Sequence, residues 1–214
     1  PSSAASDVYK RQAPRYPVGY DTPMYAYLIS HIHYREPAWL LGGTPLFYLI
    51  AWVAHRLTGL GVFLLLKIMA PLTYGFLALA FFVFVRHGLG WSDWDSLLCT
   101  IACILQLPAL RLSWDLFRNE LGLSMLFLFL AATRVRALKH RWPLLCLLAV
   151  LTVLSHELPS ILMFIWLSYE LIRYRDRSYV LRLAYAMMPS ILLFSCRLAV
   201  YFGLLPALSP GAPR

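Results

Sequence analysis

The sequence predicts an all-α fold, a polytopic helical membrane protein of about five to six spans with an interfacial outer loop that carries short helices. Composition is the first reason, because 60% of the 214 residues are hydrophobic and only 14% are Asp, Glu, Lys or Arg. In a soluble domain, about a quarter of the residues are charged. Patterning is the second reason, because apolar runs of about twenty residues, long enough to cross a bilayer, alternate with short polar clusters.

The formal net charge is +9, but its distribution argues against nucleic acid as a partner. Most Lys and Arg residues lie in short clusters between apolar runs, where an excess of positive charge marks the cytoplasmic side of a membrane protein. A surface for polyanions would need a solvent-facing basic domain, and no segment has that composition. We therefore expect a lipid bilayer, and no nucleic acid, around this chain.

The first residues are excluded from the fold. The stretch SSAASDVYKRQ (2–12) resembles a forward translation of the transposase adapter used in short-read library preparation, so residues 1–12 are treated as non-native. We therefore expect a fragment whose true N-terminus, with any upstream signal or membrane helix, is missing.

Residues 13–58 predict a first extracytoplasmic loop with juxtamembrane helices. The stretch MYAYLISHIHY (24–34) has the mixed polarity and the tyrosines of a helix lying at the membrane interface. The stretch PLFYLIAWVAHRL (45–57) is too short to span comfortably and is followed by Gly59 and Gly61. We interpret it as a half-helix or juxtamembrane helix.

Residues 59–214 predict the transmembrane bundle. Spans are expected at 62–85, with a kink at Pro71, and at 96–112, 116–132 and 183–205. Between the last two, residues 142–177 are too long for one ordinary span and carry basic residues at both ends. They therefore predict a hairpin of two short helices with SHELP (155–159) at its tip.

The arginine clusters predict the orientation of these spans. If TRVRALKHR (133–141) and RYRDR (173–177) are cytoplasmic, the spans between them alternate accordingly. Three polar stretches then fall together on the outer face, namely VGYDTPMY (18–25), RLSWDLFRNE (111–120) and SHELP. This coincidence predicts one functional site on the extracytoplasmic side of the cell membrane.

Asp21 lies between Gly19 and Pro23, which favour a turn that aims its carboxylate. Such a carboxylate can act as a general base toward an acceptor hydroxyl, or ligate a divalent cation. It can equally be the N-cap of a helix that begins at Thr22. Tyr25, one of four tyrosines in YPVGYDTPMYAY (16–27), is a candidate substrate-binding residue.

Asp115 and Arg118 are three residues apart and share a helix face. The planar guanidinium of Arg118 can bind a lipid phosphate through two parallel N–H groups. Asp115 can orient the guanidinium, or it can join Asp21 as a ligand of Mg²⁺ or Mn²⁺. The alternative is an interfacial salt bridge with snorkelling side chains, which is common at span ends.

His156 and Glu157 interrupt an apolar hairpin. Ionisable groups in an apolar environment cost free energy, so their presence suggests function. We expect His156 to contact a phosphate or an acceptor, with Glu157 beside it. No phosphate-binding glycine loop, nucleophile elbow or zinc-ligand pattern is present in the sequence, which excludes nucleotide-driven pumps and common hydrolases from this part.

The sequence leaves two other classes of membrane protein as alternatives. A secondary transporter or flippase predicts internal repeats and charges at mid-membrane, whereas no repeat is found and the polar clusters lie at span ends. A non-catalytic membrane subunit predicts that Asp21 and Asp115 are replaceable.

The order and spacing of GYDTPMYAY, TPLFYLI, SWDLFRNELGL and LSHELPSILM resemble the multi-span C-type glycosyltransferases. They are most similar to the dolichyl-phosphate-mannose mannosyltransferase and aminoarabinose-transferase type, over residues 13 to about 174. The resemblance implies inverting transfer of a sugar from a polyprenyl-phosphate donor to a lipid, glycan or protein acceptor outside the cytoplasm.

The resemblance also implies roles for individual residues. The essential carboxylate of the first outer loop corresponds to Asp21, and a second acidic position corresponds to Asp115. The hairpin position, often lysine in the family, is His156 in this sequence. The family's first span and its soluble outer C-terminal domain are expected to be missing from this fragment.

Overall fold

The computed structural model describes residues 22–32, 43–106, 117–135, 141–173 and 176–204, and in these ranges the protein is all-helical. The predicted helical class is therefore confirmed. The helices are α1 (Thr22–Ser30), α2 (Leu46–Thr58), α3 (Val62–Val83, continued by a π-helical turn over Phe84–Gly88), α4 (Asp93–Ile104), α5 (Phe117–Arg134), α6 (Arg141–Ser155), α7 (Glu157–Arg173) and α8 (Arg177–Tyr201).

Helix α5 is the central element, because it packs against α2, α3, α6 and α7. Its first turn belongs to a core formed with α1, α2 and α3, in which Phe117 packs against Tyr25 and Phe47. The rest of α5 belongs to a second core formed with α6, α7 and α8, in which Phe129 packs edge-on against Trp166. The helix therefore links two separate apolar cores.

The predicted hairpin is confirmed, because α6 and α7, which only His156 separates, run in opposite directions along α5. The two helices run between the same two ends of the bundle. At one end Pro159 lies against Gly122 near the start of α5, and at the other the Arg134 guanidinium at the end of α5 lies 3.4 Å from the Glu170 carboxylate.

Helix α3 begins at Val62 as predicted, and it continues through Pro71. The stretch 45–57, expected to form a half-helix or juxtamembrane helix, lies in α2, whose C-cap residue Gly59 adopts the left-handed conformation (φ 67°). Glycine adopts this conformation without the steric cost of a side chain.

The span predicted at 96–112 was wrong in extent. Helix α4 begins earlier, where the Ser92 hydroxyl accepts the Asp95 N–H as an N-cap, and it already ends at Ile104. Its 12 residues cover about 18 Å, which is shorter than the hydrocarbon core of about 30 Å. Residues 107–116 lie outside the described ranges.

Helix α8 also differs from the prediction, because it begins at Arg177 rather than near residue 183 and ends at Tyr201. The Asp176 side chain caps it by accepting the Ser178 N–H at 2.9 Å. An N-cap of this kind satisfies a donor that the first helical turn leaves unpaired. The cap starts the helix within the basic cluster rather than at the apolar run.

Within the described ranges, two helices have the length and apolar composition needed to cross a membrane, Val62–Gly88 and Arg177–Tyr201, while Leu46–Thr58 and Arg141–Ser155 are shorter apolar helices. The third expected span, 116–132, corresponds to α5. The predicted number of about five to six spans stays a prediction.

At the end of the bundle where α5 leads into α6, Arg141 is buried and its Nη2 donates to the Thr133 carbonyl of the last turn of α5. Its guanidinium lies over the rings of Trp142 (5.3 Å) and Tyr179 (5.6 Å). The side chain therefore ties α5, α6 and α8 together through one hydrogen bond and two cation–π contacts.

We expect Arg141→Met to lower the free energy of unfolding by about 1–3 kcal/mol, since it leaves the Thr133 carbonyl without its donor. Thermal unfolding of the detergent-solubilised protein measures the change. Arg182→Met on the exposed side of α8 is the matched control and should change it little. Equal effects of the two substitutions would contradict a stabilising role for Arg141.

Candidate functional site

Four ionisable side chains from separate parts of the chain meet at the hairpin-tip end of the bundle. Arg118 lies in the first turn of α5, His156 between α6 and α7, Glu157 at the start of α7, and Arg197 in the last turns of α8. At this end α5 and α7 begin and α6 and α8 end, which brings the four side chains together. Three of the four were predicted site residues.

The two guanidiniums converge on adjacent residues of the segment that leads into α2. Arg118 Nη1 donates to the Thr44 hydroxyl at 2.6 Å, and Arg197 Nη2 donates to the Gly43 carbonyl. Thr44 is itself buried. Because Gly43 and Thr44 are neighbours in the chain, the two positive charges lie close together.

Arg118 is held from the other side by aromatic residues. Its guanidinium lies 5.7 Å from the centroid of the Tyr48 ring, and it interacts with the Tyr25 side chain through a hydrogen bond. Tyr25 is fully buried, and its ring packs edge-on against Phe47. The predicted substrate-binding residue Tyr25 is therefore a buried side chain that positions Arg118.

Arg197 is a site residue that the sequence analysis missed. It is 4% exposed, and its Nη1 donates at 2.6 Å to the carbonyl of Val153 in α6. The sequence did contain an indication of this role. A single arginine inside an apolar run costs free energy to bury and therefore suggests function, which is the argument that also singled out His156.

His156 and Glu157 face each other, with 3.6 Å between imidazole Nε2 and carboxylate Oε2. The imidazole Nδ1 accepts the Leu158 N–H at 3.2 Å, so His156 also caps the first turn of α7. The His156 side chain is 21% exposed and that of Glu157 is 50% exposed. The pair therefore lies at the boundary between the bundle and its surroundings.

Burial lowers the pKa of His156 below its usual value, because the charged imidazolium loses solvation. The Glu157 carboxylate raises this pKa in part, and the guanidiniums of Arg118 and Arg197 lower it further. The imidazole is therefore neutral at pH 7.

Gly122 is a second residue that the sequence analysis missed. A Cβ added there would lie 2.9 Å from Pro159 Cγ, 3.3 Å from Ser155 Cβ and 3.4 Å from His156 Cβ. The hairpin tip thus packs directly onto the backbone of α5, one turn beyond Arg118. A glycine within an apolar helix can indicate such a close approach.

Glu120 lies outside this site, although it belongs to the same polar stretch of sequence as Arg118. Its carboxylate is buried and accepts the Thr73 hydroxyl of α3 at 2.5 Å. The contact holds α3 against α5 and does not involve the four site residues.

Asp21 and Asp115 lie outside the described residues. Their roles as catalytic base and as metal ligands therefore stay predictions. Among the residues that the structure describes, no group of three or more His, Cys, Asp and Glu side chains could hold a metal ion.

We expect Gly122→Ala to destabilise the protein, because the new methyl group forces the hairpin tip away from α5. Gly75→Ala in α3 is the matched control, since a Cβ there meets nothing within 4 Å. The control should gain about 0.5–1 kcal/mol from the higher helix propensity of alanine. Melting temperatures of the two variants measure the difference, and a gain at Gly122 equal to that at Gly75 would contradict the close packing.

No protein-family model matches the sequence, and neither a curated protein nor a solved structure matches it. Functional inference therefore depends on the geometry of this chain. That geometry is a cluster in which two largely buried guanidiniums and an imidazole face one carboxylate at the hairpin-tip end of a helical bundle.

Proposed function

We propose that this protein is an integral-membrane glycosyltransferase that transfers a sugar from a polyprenyl-phosphate donor to an extracytoplasmic acceptor with inversion. The observation that carries the proposal is the convergence of Arg118 and Arg197 on the adjacent residues Gly43 and Thr44, beside His156. In the proposal, this cluster binds the phosphate of the donor.

The charge balance of the cluster favours an anionic ligand. Removing a guanidinium from water is costly unless a counter-charge is supplied, and Glu157 is one carboxylate acting on both Arg197 and His156. The Nε atoms of both arginines are buried and have no hydrogen-bond partner within the described ranges. The protein groups in these ranges therefore do not fully satisfy the two side chains.

Arginine is also suited to the geometry of the ligand. Its planar guanidinium presents parallel N–H groups that match two oxygens of a phosphate. Arg118 and Arg197 are each fixed by a hydrogen bond to the segment before α2. Preorganised donors of this kind stabilise charge that develops on a leaving group.

Distribution of basic residues supports an extracytoplasmic position for the site. Arg134, Arg141, Arg173 and Arg177 lie at helix ends on the opposite side of the bundle from His156. Clusters of Lys and Arg at helix ends mark the cytoplasmic side. On this basis the hairpin tip faces the other side of the membrane.

Outward-facing apolar side chains support the membrane setting. Leu64, Leu72 and Leu79 on α3 are exposed, as are Tyr185 and Leu192 on α8. These two helices are the ones with the length and composition to cross a bilayer. A helix that is apolar on its outer face is stable in lipid. The polyprenyl chain of the donor would lie along such a surface.

In the proposed reaction the acceptor hydroxyl oxygen attacks the anomeric carbon of the donor sugar. The bond from that carbon to the phosphate oxygen breaks, and its electron pair stays on the phosphate, beside Arg118 and Arg197. Asp21 takes the acceptor proton. A single displacement inverts the anomeric carbon. Asp21 and Asp115 are the side chains that would hold Mg²⁺ or Mn²⁺ if the reaction needs a cation.

We expect Arg197→Gln to lower kcat/KM about 10²-fold or more, because it removes a charged donor from the leaving phosphate. Asp21→Asn should lower it about 10²–10⁴-fold by removing the base. The measurement is sugar transfer by the solubilised protein from radiolabelled polyprenyl-phosphate hexoses and pentoses. Arg182→Gln on the exposed side of α8 is the control and should be as active as the wild type.

The same assay separates the other classes of protein. Full activity of Asp21→Asn would remove this carboxylate from the mechanism. A flippase would move the labelled lipid between leaflets of a vesicle and form no transfer product. A non-catalytic subunit would do neither, and either result would contradict the proposed transferase.

A further inference from the structure

We infer that the end of the bundle opposite the hairpin tip binds anionic phospholipid, with the headgroup phosphate at Arg173 and Arg177 and the acyl chains along the outer faces of α7 and α8. This end, where Arg134, Arg141, Arg173 and Arg177 lie at helix ends, is called the basic end. The inference rests on the membrane setting of the proposed function but not on the transfer reaction.

Contacts between helices bring the basic end together. An ion pair of 3.4 Å joins the last turn of α5 to Glu170 in the last turn of α7. The guanidinium of Arg141, at the start of α6, lies 5.6 Å from the ring of Tyr179 in the first turn of α8. Arg173 is the last residue of α7 and Arg177 the first of α8, so both lie at this end.

The sequence makes this end strongly basic. The stretches 133–141 and 173–182 contain eight Arg and Lys residues and one acidic residue, Asp176. Asp176 caps α8, and the nearby Glu170 pairs with α5. Arg177 is exposed, and no ion pair within the described ranges involves it. Positive charge therefore exceeds negative charge at the basic end, which favours an anionic ligand.

Helix α8 has an apolar strip on its outer face that starts at Arg177. Leu181, Tyr185, Met188 and Leu192 are 50–70% exposed. Because successive residues of an α-helix are about 100° apart, these four lie within about 80° of Arg177 around the helix. The strip is about 22 Å long, which exceeds the thickness of one leaflet's hydrocarbon, about 15 Å.

Helix α7 has a matching strip that ends at Arg173. Leu158, Leu162, Ile165 and Tyr169 are 43–62% exposed, and their spacing places them on one side of the helix with Arg173. Arg173 Nη1 donates to the Tyr169 hydroxyl at 3.5 Å, and the guanidinium lies 5.9 Å from the centroid of that ring. A positive charge thus lies at the end of each apolar strip.

The two strips belong to neighbouring helices. Helices α7 and α8 both pack against α6, and Phe164 of α7 contacts Phe194 of α8 with ring centroids 5.0 Å apart. Only residues 174–176 separate Arg173 from Arg177. The strips therefore form one outer surface, with both guanidiniums at the same end of it.

A phospholipid matches both parts of this surface. Its phosphate accepts from the parallel N–H groups of a guanidinium, and its acyl chains cover the apolar strips. A soluble polyanion would leave the strips uncovered. A zwitterionic headgroup brings a cation that the basic end repels, whereas an anionic headgroup gains about fivefold in affinity for each Lys or Arg near the membrane surface.

The test compares dioleoyl phosphatidylglycerol with dioleoyl phosphatidylcholine, which share acyl chains and a phosphodiester but differ in headgroup charge. Native mass spectrometry of the protein in a neutral detergent gives a dissociation constant for each lipid. We expect the wild type to bind phosphatidylglycerol at least about tenfold more tightly than phosphatidylcholine. Arg177→Gln should weaken phosphatidylglycerol about fivefold and change phosphatidylcholine less than about twofold.

Arg173→Gln combined with Arg177→Gln should lower the affinity for phosphatidylglycerol about tenfold or more. Arg56→Gln is the matched control, because it removes an exposed arginine of α2 that does not belong to the basic end. It should change either affinity less than about twofold. Without added lipid, all these variants should melt at the wild-type temperature, because the substituted side chains are exposed.

Equal affinities of the wild type for the two lipids would overturn the inference. An equal loss in Arg56→Gln and Arg177→Gln would also overturn it, because the lipid would then respond to net charge rather than to the basic end. Arg197→Gln identifies a third outcome. If it abolishes the preference while the double variant keeps it, phosphatidylglycerol binds at the candidate site, and the basic end is not the lipid site.

The transfer reaction is measured separately, in neutral detergent without phosphatidylglycerol. Absence of sugar transfer by a protein that still prefers phosphatidylglycerol at the basic end would overturn the proposed transferase and leave this inference standing. Normal transfer by a protein without the preference would do the reverse.

Discussion

A buried guanidinium joins the two apolar cores of this helical bundle. Arg197 belongs to α8, which packs in the core of α5, α6, α7 and α8, yet it donates to Gly43 in the segment before α2. Its other bond reaches Val153 in α6. Arg118 makes the parallel link from α5 to Thr44. The positions of α2, α6 and the hairpin tip relative to one another depend on these hydrogen bonds.

The same bonds explain why the charges lie at the junction of the cores. Backbone carbonyls that are removed from water need donors, and Gly43 and Val153 receive theirs from Arg197. An arginine that satisfies carbonyls in this way keeps its full charge. The structural role of Arg197 and its proposed role toward a phosphate are therefore compatible, because hydrogen bonding to carbonyls fixes the side chain without neutralising it.

Close packing at the hairpin tip adds a steric constraint. Pro159, Ser155 and His156 all approach the position where Gly122 lacks a side chain, so α5 and the tip share one surface. The Ser160 hydroxyl donates to the His156 carbonyl at 2.7 Å, which holds the backbone of the tip. At the opposite end, Arg141 and the pair of Arg134 and Glu170 fix the other ends of the same helices. The position of His156 at the tip is thus fixed because α6 and α7 are tied to α5 at both of their ends.

Sequence alone determined the helical class, the start of α3 at Val62 and the hairpin of α6 and α7, and it singled out Arg118, His156 and Glu157 of the candidate site. Apolar run length, basic clusters and an isolated polar pair are local signals, and they can be recognised without knowing what packs where. The extents of α4 and α8 were less predictable, because the caps at Ser92 and Asp176 compete with hydropathy in setting where a helix begins. Only the tertiary structure showed that Arg197 lies beside Arg118 and that the hairpin tip packs against Gly122. Those contacts join residues 74 to 154 positions apart in the chain, or depend on the absence of a side chain, and periodicity carries no information about either.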